Sequence, residues 1–437
     1  MKEAQARALY SALLAALSPL YRLRLWWRGR AEPLYREAVA ERFGRYGRNE
    51  GKPGAVWIHA VSLGETRATA ALIEALREAR PGVRVLLTHG TATGREAGRA
   101  LLRSGDRQTW LPYDTPAAVK RFYRHWQPAV GVLMETEVWP NLLHGARSAA
   151  VPVLLANARL SERSLERGRR WDMLLRPAFA TLSRVLAQTE ADAERLLAAG
   201  ALQVEAMGNV KFDAAPDALL LVRGATWARA SRLPLVLAAS TREGEEAPLL
   251  EAWAALPAPR PRLLLVPRHP QRFDEVAALV ERSSLPLSRR SAWPGGAPDA
   301  QAQAAAVWLG DSMGELPAYY ACASVALLGG SFEKLGGQNL IEAAACGCPV
   351  VMGPHTFNFA EAAELSLAAG ASERVATLAE GVARAAALAD DSVAQAGMAQ
   401  RALAFAAAHR GAAQRMAGAI VETLERRSAM QAAGSAP

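Results

Sequence analysis

One stretch constrains the fold more than any other: residues 325–359, VALLGGSFEKLGGQNLIEAAACGCPVVMGPHTFNF. The apolar run Val325–Leu328 stops on Gly329 and Gly330 and reads as a buried parallel strand ending in a turn. A second glycine pair, Gly336 and Gly337, leads through Gln338 to Asn339, which stands where a helix N-cap belongs before LIEAAA. Gly347 closes that short helix, Pro349–Met352 opens the next strand, and Gly353-Pro354 ends it. Strand, glycine loop, helix, strand is one turn of a parallel α/β sheet. Backbone N–H groups left free in such a loop suit a phosphate. Glu342, three residues past the cap, has two readings: capping-box partner of Asn339, or acceptor for a ribose hydroxyl pair beside that phosphate.

This nucleotide-type loop lies in the last third of a 437-residue chain, far from the N-terminus where a single dinucleotide-binding domain carries its glycines. A length of 437 residues exceeds one ordinary core and fits two α/β domains of roughly 150–200 residues each. Three cysteines with no even framework suit a reducing compartment, and Cys346-x-Cys348 reads as core thiols before it reads as a metal pair. The formal charge of +9 implies acidic partners such as anionic lipid or a phosphorylated substrate. Nucleic acid is not expected, because the arginines are dispersed and no aromatic-interleaved basic run occurs.

Residues 8–21, ALYSALLAALSPLY, are apolar and are followed by Arg22, Arg24, Arg28 and Arg30. A spanning helix needs about 20 such residues, so a shallow, monotopic anchor with Trp26 and Trp27 at headgroup depth is expected, against the alternative of a helix packed on the protein itself. Lys52-Pro53-Gly54 reads as a linker, and AVWIHA (55–60) as the first strand. Its end carries Ser62-x-x-Glu65, which is either a capping box or a carboxylate placed to act as general base on a hydroxyl. The strand Ala129–Met134 runs into Glu135 and Glu137. Two carboxylates at spacing two on a strand end raise one pKa or demand a cation. Lys211 is a phosphate or carboxylate partner in GNVKFD. Residues 214–232, rich in proline and charge, read as an interdomain linker. Arg268 and His269, fixed between Pro267 and Pro270, place cations at another strand end.

Taken in order, HAVSLGE (59–65), LPYDTP (111–116), METEVWPN (134–141), NARLSERS (157–164), GNVKFD (208–213), AASTREGEE (238–246), VPRHPQRF (266–273), GDSMGEL (310–316), the 329–350 loop and GPHTFNF (353–359) cover nearly the whole chain. The set resembles the 3-deoxy-D-manno-octulosonic acid (Kdo) transferases of lipopolysaccharide synthesis. The resemblance implies an α/β GT-B glycosyltransferase: two Rossmann-like domains facing a cleft, a C-terminal helix returning to the first, and an N-terminal membrane-associating helix. The expected division is 1–50 anchor, 51–213 acceptor domain, 214–232 linker, 233–426 donor domain and 427–437 disordered tail.

It further implies inverting transfer of Kdo from CMP-Kdo to the lipid A precursor, lipid IVA, on the cytoplasmic face of the inner membrane, with no cofactor and no catalytic metal. The family's base falls on Glu65. Its transition-state stabilising groups fall on Glu135 and Lys211, with Glu137 able to share the role of Glu135. CMP contacts fall on Arg268, His269, Met313, Gly314, Glu315, Asn339, Leu340, Ile341 and Glu342. The chain departs from the family at Gln338-Asn339-Leu340, where His-Asn-Pro is common, and in an expanded stretch near 293–306. Two rival readings stand beside this one: a GT-B enzyme or epimerase using a UDP- or GDP-sugar, and a non-catalytic membrane-surface binder in which Glu65 and Glu342 are only caps.

Overall fold

Most strands of this chain are short and apolar, which suits sheets covered on both faces, while RQTW (107–110), VEA (204–206), LSR (287–289) and SER (372–374) carry polar residues and stand at the sheet edges. The computed structural model describes residues 3–47 and 53–434, so Lys52 of the expected linker lies outside the described residues, as do 435–437 of the expected tail. The chain forms two compact units, Met1–Ala214 with Arg410–Pro437, and Ala215–His409.

In the first unit, β1 (Val56–His59), β2 (Val85–His89), β3 (Arg107–Trp110), β4 (Val130–Met134), β5 (Val153–Ala158), β6 (Arg184–Ala187) and β7 (Val204–Ala206) make one sheet. All neighbours pair in parallel, in the order β3-β2-β1-β4-β5-β6-β7. Alternate residues of β1 feed opposite cores: Val56 and Ile58 one, Trp57 the other. Gly131 of β4 makes room for that indole, since a Cβ there would lie 2.7 Å from the Trp57 ring. The strand order reverses between β1 and β4. Ligands of such sheets bind at the carboxyl ends of the strands at that reversal.

The second unit repeats the plan with β8 (Leu235–Thr241), β9 (Arg262–Pro267), β10 (Leu287–Arg289), β11 (Val307–Leu309), β12 (Val325–Leu328), β13 (Val350–Met352) and β14 (Ser372–Arg374). Its parallel order is β10-β11-β9-β8-β12-β13-β14. Here the reversal lies between β8 and β12, so the glycine loop after β12 occupies the corresponding position.

Four expectations about organisation are corrected. Residues 3–31 form one helix that belongs to the first unit, with Ala6, Leu25 and Gly29 buried, so residues 1–50 are not a separate segment. Residues 218–230 of the expected linker are a helix of the second unit. Its Gly224 lets Ala318 approach so closely that a Cβ would sit 2.3 Å from that carbonyl oxygen, and Trp227 is buried against Trp293 and Tyr319. Only two residues of that helix are buried, too sparse a stripe to reveal it beneath the arginines. Residues 427–434, expected to be disordered, continue the last helix, Ala412–Gly434. That helix belongs to the first unit, as the returning helix of the resemblance implies, so the second unit ends at His409 and not at 426. Ala413, Met416, Ala417, Ile420 and Leu424 form one helical stripe and join the core of the helix Leu63–Ala79.

Asp213 anchors the returning helix. Its carboxylate accepts from the N–H groups of Gly411 and Ala413, filling the role of a cap from a distant part of the chain. Asp213→Ala is expected to cost about 1–2 kcal/mol by the usual worth of a cap, read as a lower denaturation midpoint of the first unit.

Candidate active site

In the first unit the groups of interest gather at the carboxyl ends of β1 and β4. Ser62 caps the helix Leu63–Ala79, and Glu65 occupies its first turn. The Glu65 carboxylate accepts from the Val61 N–H at 2.8 Å and from the Ser62 hydroxyl at 3.0 Å. Two bonds leave further lone pairs on the carboxylate, so the capping and base readings are compatible. Burial raises its pKa against these two bonds, and Glu135 raises it further.

Strand β4 does not continue through the two following carboxylates. Glu135 turns the chain with a φ of +56°, a left-handed conformation that a non-glycine residue holds only at a cost. The side chains of Glu135 and Glu137 therefore enter different environments. Glu135 is buried and paired twice, with Lys211 Nζ at 2.8 Å and Arg159 Nε at 3.1 Å. Lys211 is positioned by the turn Val210–Asp213, where the Lys211 N–H donates to the Asn209 side chain and the Val210 N–H to that of Asn157. Glu137 accepts from the Trp139 indole at 2.7 Å, and burial lifts its pKa to about 7, with Glu65 and Glu135 adding to the rise.

His59 completes the rim. Its Nδ1 lies 3.0 Å from the Thr88 carbonyl, an acceptor, so Nδ1 carries the proton. Its buried Nε2 has no hydrogen-bond partner and lies 3.9 Å from Glu137, while full burial pushes its pKa down to about 3. A lone pair on Nε2 favours the protonated acid of Glu137. Both outcomes expected of two adjacent carboxylates thus occur, one on each residue. The sequence reading missed His59, which ends β1, and Arg159, which follows β5; their places in HAVSLGE and NARLSERS were the available signal.

In the second unit the glycine loop is tied down by Glu245. Both of its carboxylate oxygens lie 2.8 Å from the Gly330 N–H, and Oε2 also accepts from Arg242 N–H. Gly330, Gly336 and Gly337 all have positive φ, and a Cβ on Gly329 would stand 2.4 Å from the Ser240 carbonyl oxygen. Only glycine permits this path. Asn339 caps the helix Leu340–Ala345 by accepting from the Ile341 N–H at 3.2 Å. Leu340 and Ile341 are buried, so they can offer a ligand only backbone, and Glu342 is half-buried in the first turn. Arg268 and His269 are exposed just past β9, and the Arg268 N–H bonds the Thr241 carbonyl at the end of β8. Desolvation, then Arg242, Arg268 and Arg272, lower the His269 pKa, which marks a cationic cluster.

Met313 and Gly314 form an exposed turn, with Gly314 at positive φ. Glu315 is engaged within its own unit by Arg223 at 2.6 Å, Arg290 at 2.8 Å and the Ser312 hydroxyl. Among the described residues no cluster of three or more histidine, cysteine or acidic side chains could hold a metal. Cys346 and Cys348 are separate free thiols.

Two parallel doubly wound units with polar groups at both reversal points define a glycosyltransferase-type fold. Solved structures agree in fold: a glycosyltransferase from Rickettsia africae (TM-score 0.57, 12% identity, 86% of this chain and 99% of that one) and a UDP-GlcNAc 2-epimerase from Neisseria meningitidis (0.55, 15%, 85% and 100%). The family model of 3-deoxy-D-manno-octulosonic-acid transferase (kdotransferase) matches residues 37–214. A 3-deoxy-D-manno-octulosonic acid transferase of Bordetella pertussis is 48% identical over 96% of this chain and 99% of its own. One from Haemophilus influenzae is 36% identical over 81% and 84%. The chain belongs to the Kdo transferase family and is a glycosyltransferase.

Glu137 sets a pH dependence whose sign follows from its raised pKa. Between its ordinary range and about pH 7 the native state holds a proton that the unfolded state has released, so stability falls as pH rises through that window. Glu137→Gln mimics the protonated acid and removes this slope. Its melting temperature relative to wild type is expected to climb from pH 5 to about pH 7 and then level off, as measured by calorimetry across buffers.

Proposed function

We infer that this enzyme transfers Kdo from CMP-Kdo to the lipid A precursor lipid IVA, with Glu65 as general base. The observation that carries this reading is the placement of Glu65: at the β1/β4 reversal, oriented by two donors, partly desolvated, and beside a Glu135 whose charge Lys211 and Arg159 balance. A base needs a raised pKa and a fixed orientation, and Glu65 has both.

In this mechanism Glu65 takes the proton of an acceptor hydroxyl as its oxygen attacks the anomeric carbon of Kdo. The bond from that carbon to the CMP phosphate oxygen breaks, the configuration inverts, and CMP leaves with the electron pair. The second unit offers the leaving phosphate the guanidinium of Arg268, because the Gly329, Gly330 and Gly337 N–H groups expected to serve it are bonded to Ala239, Glu245 and Gly330, with the Met313-Gly314 turn, Asn339 and Glu342 available to the nucleoside. In the first unit, Lys211 and Arg159 supply positive charge beside Glu65, where the carboxylate of Kdo needs compensation. The identities of the Bordetella pertussis and Haemophilus influenzae relatives support Kdo as the transferred sugar.

The first helix supports work at an anionic membrane surface, on the cytoplasmic face of the inner membrane. Leu9, Leu13, Leu20, Leu23 and Trp27 recur at helical spacing and are each more than half exposed, with Arg22, Arg24 and Arg30 alongside. No helix among the described residues is long and apolar enough to cross a membrane. Contact is therefore monotopic in this reading.

Glu65→Gln is expected to lower kcat by about 10²–10⁴-fold while CMP still protects the protein on heating. Because the base must be ionised and its pKa is raised, wild-type kcat/KM should fall with decreasing pH above the ordinary glutamate range. Full activity in Glu65→Gln would return this residue to the role of a cap. For the membrane contact, Leu13→Glu with Leu20→Glu should abolish flotation with phosphatidylglycerol vesicles and leave the melting temperature unchanged.

A further inference from the structure

The glycine loop of the second unit leaves an anion little backbone to bind. Gly329, Gly330 and Gly337 donate their N–H groups to the Ala239 carbonyl, the Glu245 carboxylate and the Gly330 carbonyl. A donor with a carboxylate on its anomeric carbon brings two anions to this place, the phosphate and that carboxylate, with only the anomeric carbon and the bridging oxygen between them. Two anions held side by side repel unless each is met by a cation. Arg268 is assigned to the phosphate, so the second anion needs another cation on the same unit.

Arg242 is placed to be that cation. It directly follows β8, at the reversal point of the second sheet. Its backbone is fixed twice: the Arg242 N–H donates to Glu245 Oε2 at 2.8 Å, and its carbonyl accepts from the Glu245 N–H at 3.0 Å. The same buried carboxylate holds the Gly330 N–H, so one side chain ties Arg242 and the loop together. The stem of Arg242 runs past Gly330, where a Cβ would lie 3.7 Å from its Cγ. Its charge is felt at His269, whose pKa is lowered by desolvation first and by Arg242 next, ahead of Arg268 and Arg272. The side chain thus extends from the glycine loop toward the end of β9.

The other cations of this neighbourhood are differently engaged. Arg272 is held by Glu246 at 2.7 Å and by Glu275 at 3.0 Å. Lys334, the loop's own cation, is exposed, and its ammonium is a point charge without a fork. Arg242 is half-buried, and among the described residues its guanidinium forms no ion pair with a carboxylate. A planar guanidinium matches a carboxylate through two parallel N–H bonds, which gives geometric selection as well as charge.

We propose that Arg242 holds the carboxylate of the transferred sugar acid when the donor binds, and so selects a nucleotide sugar with an acid group at its anomeric carbon over one without. Glu245 is the positioning residue behind it. The proposal rests on the reading of the donor as CMP-Kdo. Lys211 and Arg159, in the first unit, keep their place beside Glu65 in the transfer step, whereas Arg242 acts on the donor bound to the second unit.

The test uses the full-length protein and separates the two anions by comparing CMP-Kdo, which carries both, with CMP, which carries only the phosphate. KM for CMP-Kdo is measured by transfer to lipid IVA, and Ki for CMP by inhibition of that transfer. Arg242→Gln should raise KM for CMP-Kdo about 10–100-fold, the usual worth of a charged hydrogen bond, and leave Ki for CMP and the melting temperature unchanged. Arg242→Lys should recover part of that loss, because the charge remains and the fork is gone. Lys334→Gln should leave both constants unchanged.

A rise in KM matched by an equal rise in Ki would assign Arg242 to the phosphate, or to the fold if the melting temperature dropped as well, and either result overturns the proposal. So would an unchanged KM in Arg242→Gln, or a selective rise in KM found in Lys334→Gln instead. Wild-type protein that neither transfers from CMP-Kdo nor is protected by CMP on heating would overturn the donor reading itself, a separate result.

Discussion

One short turn, Val210–Asp213, holds the first unit's chemistry in place. Lys211 reaches back to neutralise Glu135 at the end of β4, and two residues later Asp213 caps the helix that returns from the far end of the chain. That helix packs on the helix Leu63–Ala79, which presents Glu65. Val210 and Phe212, both buried, fix the turn between these two polar duties. A displacement of this turn would leave a buried carboxylate without its cation and loosen the helix that carries the proposed base. Removing one partner of a buried pair is costly because the other charge stays behind.

The carboxylates at this rim illustrate how environment, not residue type, assigns protonation. Glu135 has two cationic partners, Lys211 and Arg159. Glu137, a few ångströms from an unprotonated histidine nitrogen, is held near neutrality by burial. Glu65 is desolvated, which raises its pKa, but is held by two donors. Each environment follows from a backbone that stops being a strand at the right residue. Glu135, Asn157 and Ser240 all adopt positive φ at or near strand ends, and β5 and β8 each shift register there. Strain of this kind persists only where surrounding contacts over-determine it, and in both units it lies next to the groups assigned to chemistry.

The first helix is two-faced. Its outward leucines and Trp27 read as an anchor, while its inward face donates Tyr10 to Asp114, bonds Ser11 to Asn141 and stacks Tyr21 on Tyr113. A helix of 29 residues has room both for this packed face and for an outward apolar one. Asp114 in turn accepts the Asn141 and Leu142 N–H groups at the start of the helix Pro140–Ser148, so the helix is joined to the segment that follows Glu137.

By itself the sequence determined the parallel α/β class, the two-unit plan, the glycine loop and the Asn339 cap, because strand hydrophobicity, glycine pairs and capping residues act over a few neighbouring residues. It also pointed to Glu65, Glu135 and Lys211, through their positions at strand ends and through the family motifs. The tertiary structure alone decided which carboxylate took the cations, that Glu245 ties the glycine loop, and that 218–230 is a packed helix. Each of these depends on a partner distant in sequence: Lys211 lies 76 residues from Glu135, and Gly330 lies 85 from Glu245. Local periodicity carries no record of which remote surface will desolvate a charge, and desolvation is what sets the protonation states here.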